Sequence, residues 1–179
     1  MSKTFVLMLI AGMFSTSAWT AQVCVHNLAS ESTPSSDFTD NEDGTATHNT
    51  TGLMWRQCPF KTDVEDGECA VAVESDGRYS TWASALEGAD NLIYGGYSDW
   101  RLPNITELAS IVEWTCFEQA INNDIFPDSG DAGSQFWSST TLRSSQGKAR
   151  VIQFRTGIES GVSKATNLQF FVVRDTDEE

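Results

Sequence analysis

The chain has 179 residues, 40% of them hydrophobic, 11% aromatic and 20% charged, with a formal net charge of −14. That balance excludes a disordered chain, which lacks the apolar surface to build a core. The strong negative charge argues against a nucleic-acid partner, since a polyanion is repelled by it.

The N-terminus carries one cation, Lys3, then an apolar run from Phe5 to Phe14 and mostly small residues to Ala21. This is the layout of a secretory signal peptide over residues 1–21, too short to remain as an anchor, with cleavage expected after Ala18 or Ala21. Nothing further along is apolar enough to cross a bilayer. The expected destination is the periplasm or the extracellular space. Residues 22–37 read as a polar N-terminal tether, 38–174 as one domain of ordinary size, and 175–179 as an acidic tail.

The dipeptides Asp43-Gly44 and Thr51-Gly52 are turn signals, and Thr45–His48 with Leu53–Arg56 are short enough for a hairpin. Residues 57–78 read as an acidic loop. Trp82, Ala85, Leu86 and Ala89 mark a first helix capped by Ser80 or Thr81. After Gly95-Gly96 comes Trp100-Arg101-Leu102-Pro103-Asn104. Pro103 fixes its own φ and biases Leu102 toward extended backbone, Asn104 is placed as N-cap, and Glu107 closes a capping box. Ile105, Leu108, Ile111 and Val112 then form a helical stripe. Residues 117–135 are loop-like. From Phe136 the period falls to two, giving strand candidates at Phe136–Thr141, Arg150–Phe154, Gly161–Lys164 and Gln169–Arg174, punctuated by Gly157 and Gly161. A hairpin, two helices and a run of strands is an α+β order.

Cys24, Cys58, Cys69 and Cys116 all follow the leader. In an oxidising compartment an even number implies two disulfides in one of three connectivities. Spacing favours Cys58–Cys69 as a local clasp and Cys24–Cys116 as a long-range tie. A zinc site competes poorly, for there is no C-x-x-C pair and the histidines are only His26 and His48.

Catalytic patterns are weak. Neither His26 nor His48 sits near a serine in a nucleophile-elbow motif. The acids Asp40, Glu42 and Asp43 miss the calcium-loop spacing, so turn chemistry explains them better, and no metal or cofactor is expected. Two of the many carboxylates could still meet as an acid–base pair, which keeps an enzyme acting on an envelope polymer as the alternative reading, alongside a purely structural envelope component. Trp100, Trp114 and Trp137 are candidates for stacking on sugar rings, with burial in the core the commoner fate of such residues. Arg101 and Glu107 are expected to pair in a buried network that orients the second helix.

The charge is polarised. Residues 22–136 hold four Lys/Arg against twenty Asp/Glu, whereas 137–174 hold Arg143, Lys148, Arg150, Arg155, Lys164 and Arg174 against Glu159 alone. The first five of these cations are the candidate ligand-binding set, suited to an anionic glycan; the competing reading is a solvated strand face.

Several blocks, in order, resemble one family: residues 40–58 (DNEDGTATHNTTGLMWRQC), 95–113 (GGYSDWRLPNITELASIVE), 121–129 (INNDIFPDS), 136–140 (FWSST) and the terminal Val173-Arg174. They are similar to the C-terminal domain of the Legionella collagen-like adhesin. The resemblance covers about Phe38 to Arg174 and implies a C-type-lectin-like fold, with two helices packed on antiparallel strands and termini brought together. It also implies pairing of cysteines at positions like 58 and 69, and like 24 and 116. The Arg101-Leu102-Pro103 entry into the helix is similar to that of the formylglycine-generating group of sulfatase-modifying proteins, whose chemistry would need free cysteines. The best-known member is an adhesin that binds sulfated glycosaminoglycans through basic surface. This chain departs from it in net charge and in having no collagen-like repeat. The expected function is an exported, non-enzymatic, adhesion-type domain that recognises a surface glycan or an envelope partner.

Overall fold

The computed structural model describes residues 22–25, 28–71, 78–127 and 134–176. The expected signal peptide, His26 and the last residues of the acidic tail lie outside them. Among the described residues eleven strands and two α-helices run in the order β1 (Val23–Cys24), β2 (Phe38–Asp40), β3 (Thr45–His48), β4 (Leu53–Arg56), β5 (Thr62–Glu65), β6 (Glu68–Val71), α1 (Trp82–Asp90), α2 (Ile105–Ala109), β7 (Cys116–Phe117), β8 (Gln135–Thr141), β9 (Lys148–Gln153), β10 (Ile158–Ser163) and β11 (Val173–Asp175). The fold is α+β, with every strand pair antiparallel.

A four-stranded sheet has the order β11-β4-β3-β2, and a three-stranded sheet the order β10-β9-β8. The segment 168–173 stitches them together. Trp137 donates its N–H to the Gln169 carbonyl, Arg56 to that of Val172, and Arg101 exchanges both backbone bonds with Val173. Successive side chains on a strand point to opposite faces, and here each face meets a different core. Phe171 and Val173 join Trp55, Leu108, Phe126, Phe136 and Ile152 in one cluster, while Phe170 and Val172 join Met54, Ala85, Trp100, Trp137 and Val151 in the other. Burial on both faces explains the unbroken apolar run Phe170–Val173.

The N-terminal turn of α1 is capped by Thr81, whose Oγ1 accepts from Ser84 N–H. Its Ala85 and Ala89 are fully buried, small enough to bring the helix close to the sheet. At α2 the capping box is complete: Asn104 Oδ1 accepts from Thr106 and Glu107, and Asn104 N–H donates to Glu107. The helix is shorter than its apolar stripe. It ends at Ala109, yet Ile111 and Val112 are buried because the following turn pairs Val112 with Ile121 and drives both into the core.

Three expectations are corrected. Residues 57–78 contain the β5–β6 hairpin rather than a plain loop; Asp66-Gly67 turns it with φ of 51° and 81°. β10 begins at Ile158 rather than at Gly161, which lies inside it, where a β-carbon would stand 2.6 Å from Leu142. Asp175 belongs to β11, opposite Leu53, and not to a tail.

Both disulfides form, Cys24–Cys116 and Cys58–Cys69, and no cysteine is free. The first joins β1 to β7 and fastens the N-terminal tether to the domain.

Candidate functional site

The Gly95-Gly96 segment explains much of the second sequence block. Both glycines have positive φ, 59° and 84°, and Tyr94 and Tyr97 exchange backbone hydrogen bonds across them. That is the geometry of a tight two-residue hairpin turn, which favours glycine at both central positions. Tyr94 is thereby laid over Arg56 and Tyr97 over Arg174, with guanidinium-to-ring distances of 4.3 and 4.0 Å. Trp100, 1% exposed, packs beneath them and donates from Nε1 to the Tyr94 carbonyl.

Arg101 and Glu107 form a bidentate pair at 2.8 and 3.0 Å, and Arg101 also reaches Asp175 at 3.2 Å. The pair is half-buried rather than buried, the arginine side chain being 37% exposed. The hydrogen bond to Glu107 is the main cause that raises the Arg101 pKa. Pro103 contributes its carbonyl as acceptor for Ser139 N–H. With every charge matched, this motif positions α2 against β8 and β11.

Of the three tryptophans considered for stacking, Trp100 and Trp137 are buried, and Trp137 donates to the Ser80 carbonyl at 2.8 Å. Trp114 is 63% exposed. Nothing in its sequence neighbourhood signalled that, since Val112 and Cys116 on either side are buried.

His48 is structural. It stacks on Phe38 with ring centres 4.6 Å apart, and its Nδ1 meets Thr51 Oγ1. Burial pushes its pKa down, against the opposing pull of Asp37. Asp43 accepts from the N–H and hydroxyl of Thr45, and Asp40 from Glu42 N–H, so both serve turns. Among the described residues no group of three or more His, Cys, Asp or Glu is placed to hold a metal ion.

The five candidate cations divide into two groups. Arg143, Lys148 and Lys164 gather at the β8–β9 turn. Leu142 N–H donates to the Lys148 carbonyl, Lys164 N–H to that of Gly147, and Lys164 Nζ to Thr141 Oγ1. The Lys164 ammonium sits 3.7 Å from the centre of the Trp82 ring. Arg143 and Lys148 are exposed and have no ion-pair partner among the described residues. Arg150 and Arg155 are neutralised instead. Arg150 pairs with Glu159 across the β9–β10 hairpin, and Arg155 with Glu118 through two bonds of 2.8 and 2.9 Å. Arg155 also lies at the opposite end of that hairpin, roughly 20 Å from Lys148 by strand rise. The single run of cations in sequence is a compact basic corner of three, plus two satisfied ion pairs.

A carboxylate that the sequence reading passed over is Glu113, 3% exposed. It accepts from the N–H groups of Ser32, Thr33 and Thr115 and from the hydroxyls of Thr33 and Thr115, over 2.5–3.1 Å. Burial alone would raise its pKa, but the bonds from Thr115, Thr33 and Ser32 together outweigh it and hold the group at about 2. Glu113 is thus a clasp, ionised at neutral pH, that fixes the N-terminal tether to the strand β7 region.

The features so far define a disulfide-stapled α+β domain. The Lcl C-terminal domain model matches residues 44–174, and the chain belongs to that family. Comparison with curated proteins gives no match.

Proposed function

We propose that this chain is an exported, non-catalytic recognition domain that binds an anionic surface glycan through the basic corner of Arg143, Lys148 and Lys164. The observation that carries the reading is the convergence of these three cations at one turn of a protein that is otherwise strongly acidic. A polyanion steered away from most of the surface is attracted there. The two disulfides support an oxidising compartment, periplasmic or extracellular, and no described helix is long and apolar enough to cross a membrane. Family membership, two helices on antiparallel sheets and the two disulfides support a C-type-lectin-like architecture.

The test is a heparin titration at increasing salt. Wild-type affinity should fall as salt screens the contacts, and Arg143→Ala/Lys148→Ala should weaken binding about tenfold or more at low salt. Arg150→Ala/Arg155→Ala should change it less, since both cations are already held by an acid and lie outside the basic corner. Equal affinity of wild type and the Arg143→Ala/Lys148→Ala variant, or no binding by either, ends the proposal.

A further inference from the structure

At the end of the β9–β10 hairpin away from the basic corner, two segments face one another along a row of contacts. Ala120 N–H donates to the Phe154 carbonyl, Arg155 holds Glu118, and Trp114 lies against Gly157. Gly157 is required there. Its φ is +72°, and a β-carbon would stand 2.9 Å from Val112 and 3.2 Å from the indole. The Trp114 side chain is 63% exposed, and Phe117, three residues on, and Ile158, next to Gly157, are 46% and 61% exposed.

This exposed aromatic is mounted on an over-determined backbone. Trp114 N–H donates to Ser32 Oγ at 2.8 Å, the preceding Glu113 is clamped by five protein groups, and Cys116 is disulfide-bonded to Cys24. A rigid aromatic loses little entropy when a ligand covers it. Beside it Glu118 adopts φ +67°, a conformation that costs a non-glycine residue energy and persists only where its surroundings impose it. Its side chain pairs with Arg155, whose Nε and Nη2 bind the carboxylate and whose Nη1 makes no hydrogen bond among the described residues.

We infer that Trp114, with the Arg155–Glu118 pair two positions from its Gly157 contact, forms a second saccharide subsite, one for an uncharged pyranose. The C–H face of a sugar ring is apolar and flat enough to stack on indole, while its hydroxyls need paired donors and acceptors at the rim, which the outward lone pairs of Glu118 and the free Arg155 N–H groups supply. Charge selects the ligand class. The ion pair has no net charge, so nothing on this face attracts an anion. A second copy of the chain would bring another net charge of −14 against this one. The subsite is independent of the basic corner, so either proposal can fail without the other.

The experiment titrates the oxidised chain with cellohexaose, chitohexaose and maltohexaose, read by calorimetry and tryptophan fluorescence, alongside light scattering. At least one hexamer should bind saturably, with affinity unchanged at high salt. Trp114→Ala should lower its affinity about tenfold or more, Trp114→Phe should retain it within about threefold, and Arg143→Ala/Lys148→Ala should leave it unaltered. Absence of binding by wild type, or equal binding by wild type and Trp114→Ala, would overturn the inference. So would self-association of wild type that Trp114→Ala abolishes, which would assign the face to a second copy.

Discussion

The Arg174 guanidinium lies 4.0 Å from the centre of the Tyr97 ring. Its Nε also donates to Asp99 at 2.7 Å, the main cause that lowers the Asp99 pKa. Arg56, likewise 3% exposed, sits under Tyr94 and donates to the carbonyls of Pro59 and Thr62. Two buried cations on one sheet face are therefore roofed by two tyrosines from one turn. Each cation–π contact is worth about 1–2 kcal/mol where water is excluded, but only while the turn holds both rings in place.

The two glycines of that turn should consequently differ in their tolerance of substitution. At Gly96 a β-carbon meets no atom within 4 Å, so Gly96→Ala carries only the left-handed penalty of about 1 kcal/mol. At Gly95 it would stand 3.1 Å from Asp43 Oδ2 and 3.3 Å from Thr45 Cγ2. Gly95→Ala should cost about 2 kcal/mol or more, adding displacement of the turn to the same penalty. Urea midpoints of the two variants measure the difference, and the order should be Gly95→Ala below Gly96→Ala below wild type.

Glu113 should dominate the response to acid. Its folded-state pKa of about 2 lies below the ordinary 4.5, so the charged form is favoured by folding. The stabilisation is complete above the unfolded value and disappears as pH falls from about 4.5 toward 2, amounting to roughly 3 kcal/mol. Glu113→Gln should lose about 2–3 kcal/mol at neutral pH, because the amide supplies one acceptor oxygen to a site with five donors. Denaturation of both proteins at pH 7 and pH 3 should show the gap between them narrowing in acid.

The disulfides close loops of very different length, with separations of 92 residues for Cys24–Cys116 and 11 for Cys58–Cys69. The chain-entropy relation gives about 4.6 and about 2.8 kcal/mol. Cys24→Ser/Cys116→Ser should thus melt lower than Cys58→Ser/Cys69→Ser, and it should also release the tether held by Glu113. Calorimetry of the two double variants checks the order.

Much of this fold was legible because local rules and packing agree. Asn104 and Glu107 announced the α2 start, and Thr81 the α1 start. The turn dipeptides framed β3 and β4. The β5–β6 hairpin was missed although Asp66-Gly67 marks it, because the acids around the turn read as a solvated loop. The end of α2 was missed for another reason: Ile111 and Val112 keep the helical spacing but reach the core from a turn, which only the long-range pairing to Ile121 reveals. The site divided in the same way. Sequence placed five cations on one segment, but the acids that silence two of them differ in visibility. Glu159 was close by in sequence, whereas Glu118 reaches Arg155 from 37 residues away. Exposure of Trp114 depends on Gly157, a contact across 43 positions that no periodicity could indicate.

Substitutions at Glu107 separate its two roles. Its carboxylate accepts from Asn104 N–H at 2.7 Å, closing the cap of the helix, and also holds Arg101, which is 37% exposed and has Asp175 as a second partner. A partly exposed ion pair with an alternative acid contributes little, whereas an unfilled cap costs about 1 kcal/mol. Glu107→Gln keeps an acceptor for the cap and should cost well under about 1 kcal/mol. Glu107→Ala removes the cap as well and should cost about 1–2 kcal/mol, close to the sum of Asn104→Ala and the pair. Equilibrium denaturation of the three variants decides between the roles: if Glu107→Gln proves as damaging as Glu107→Ala, the ion pair rather than the cap holds α2 in register.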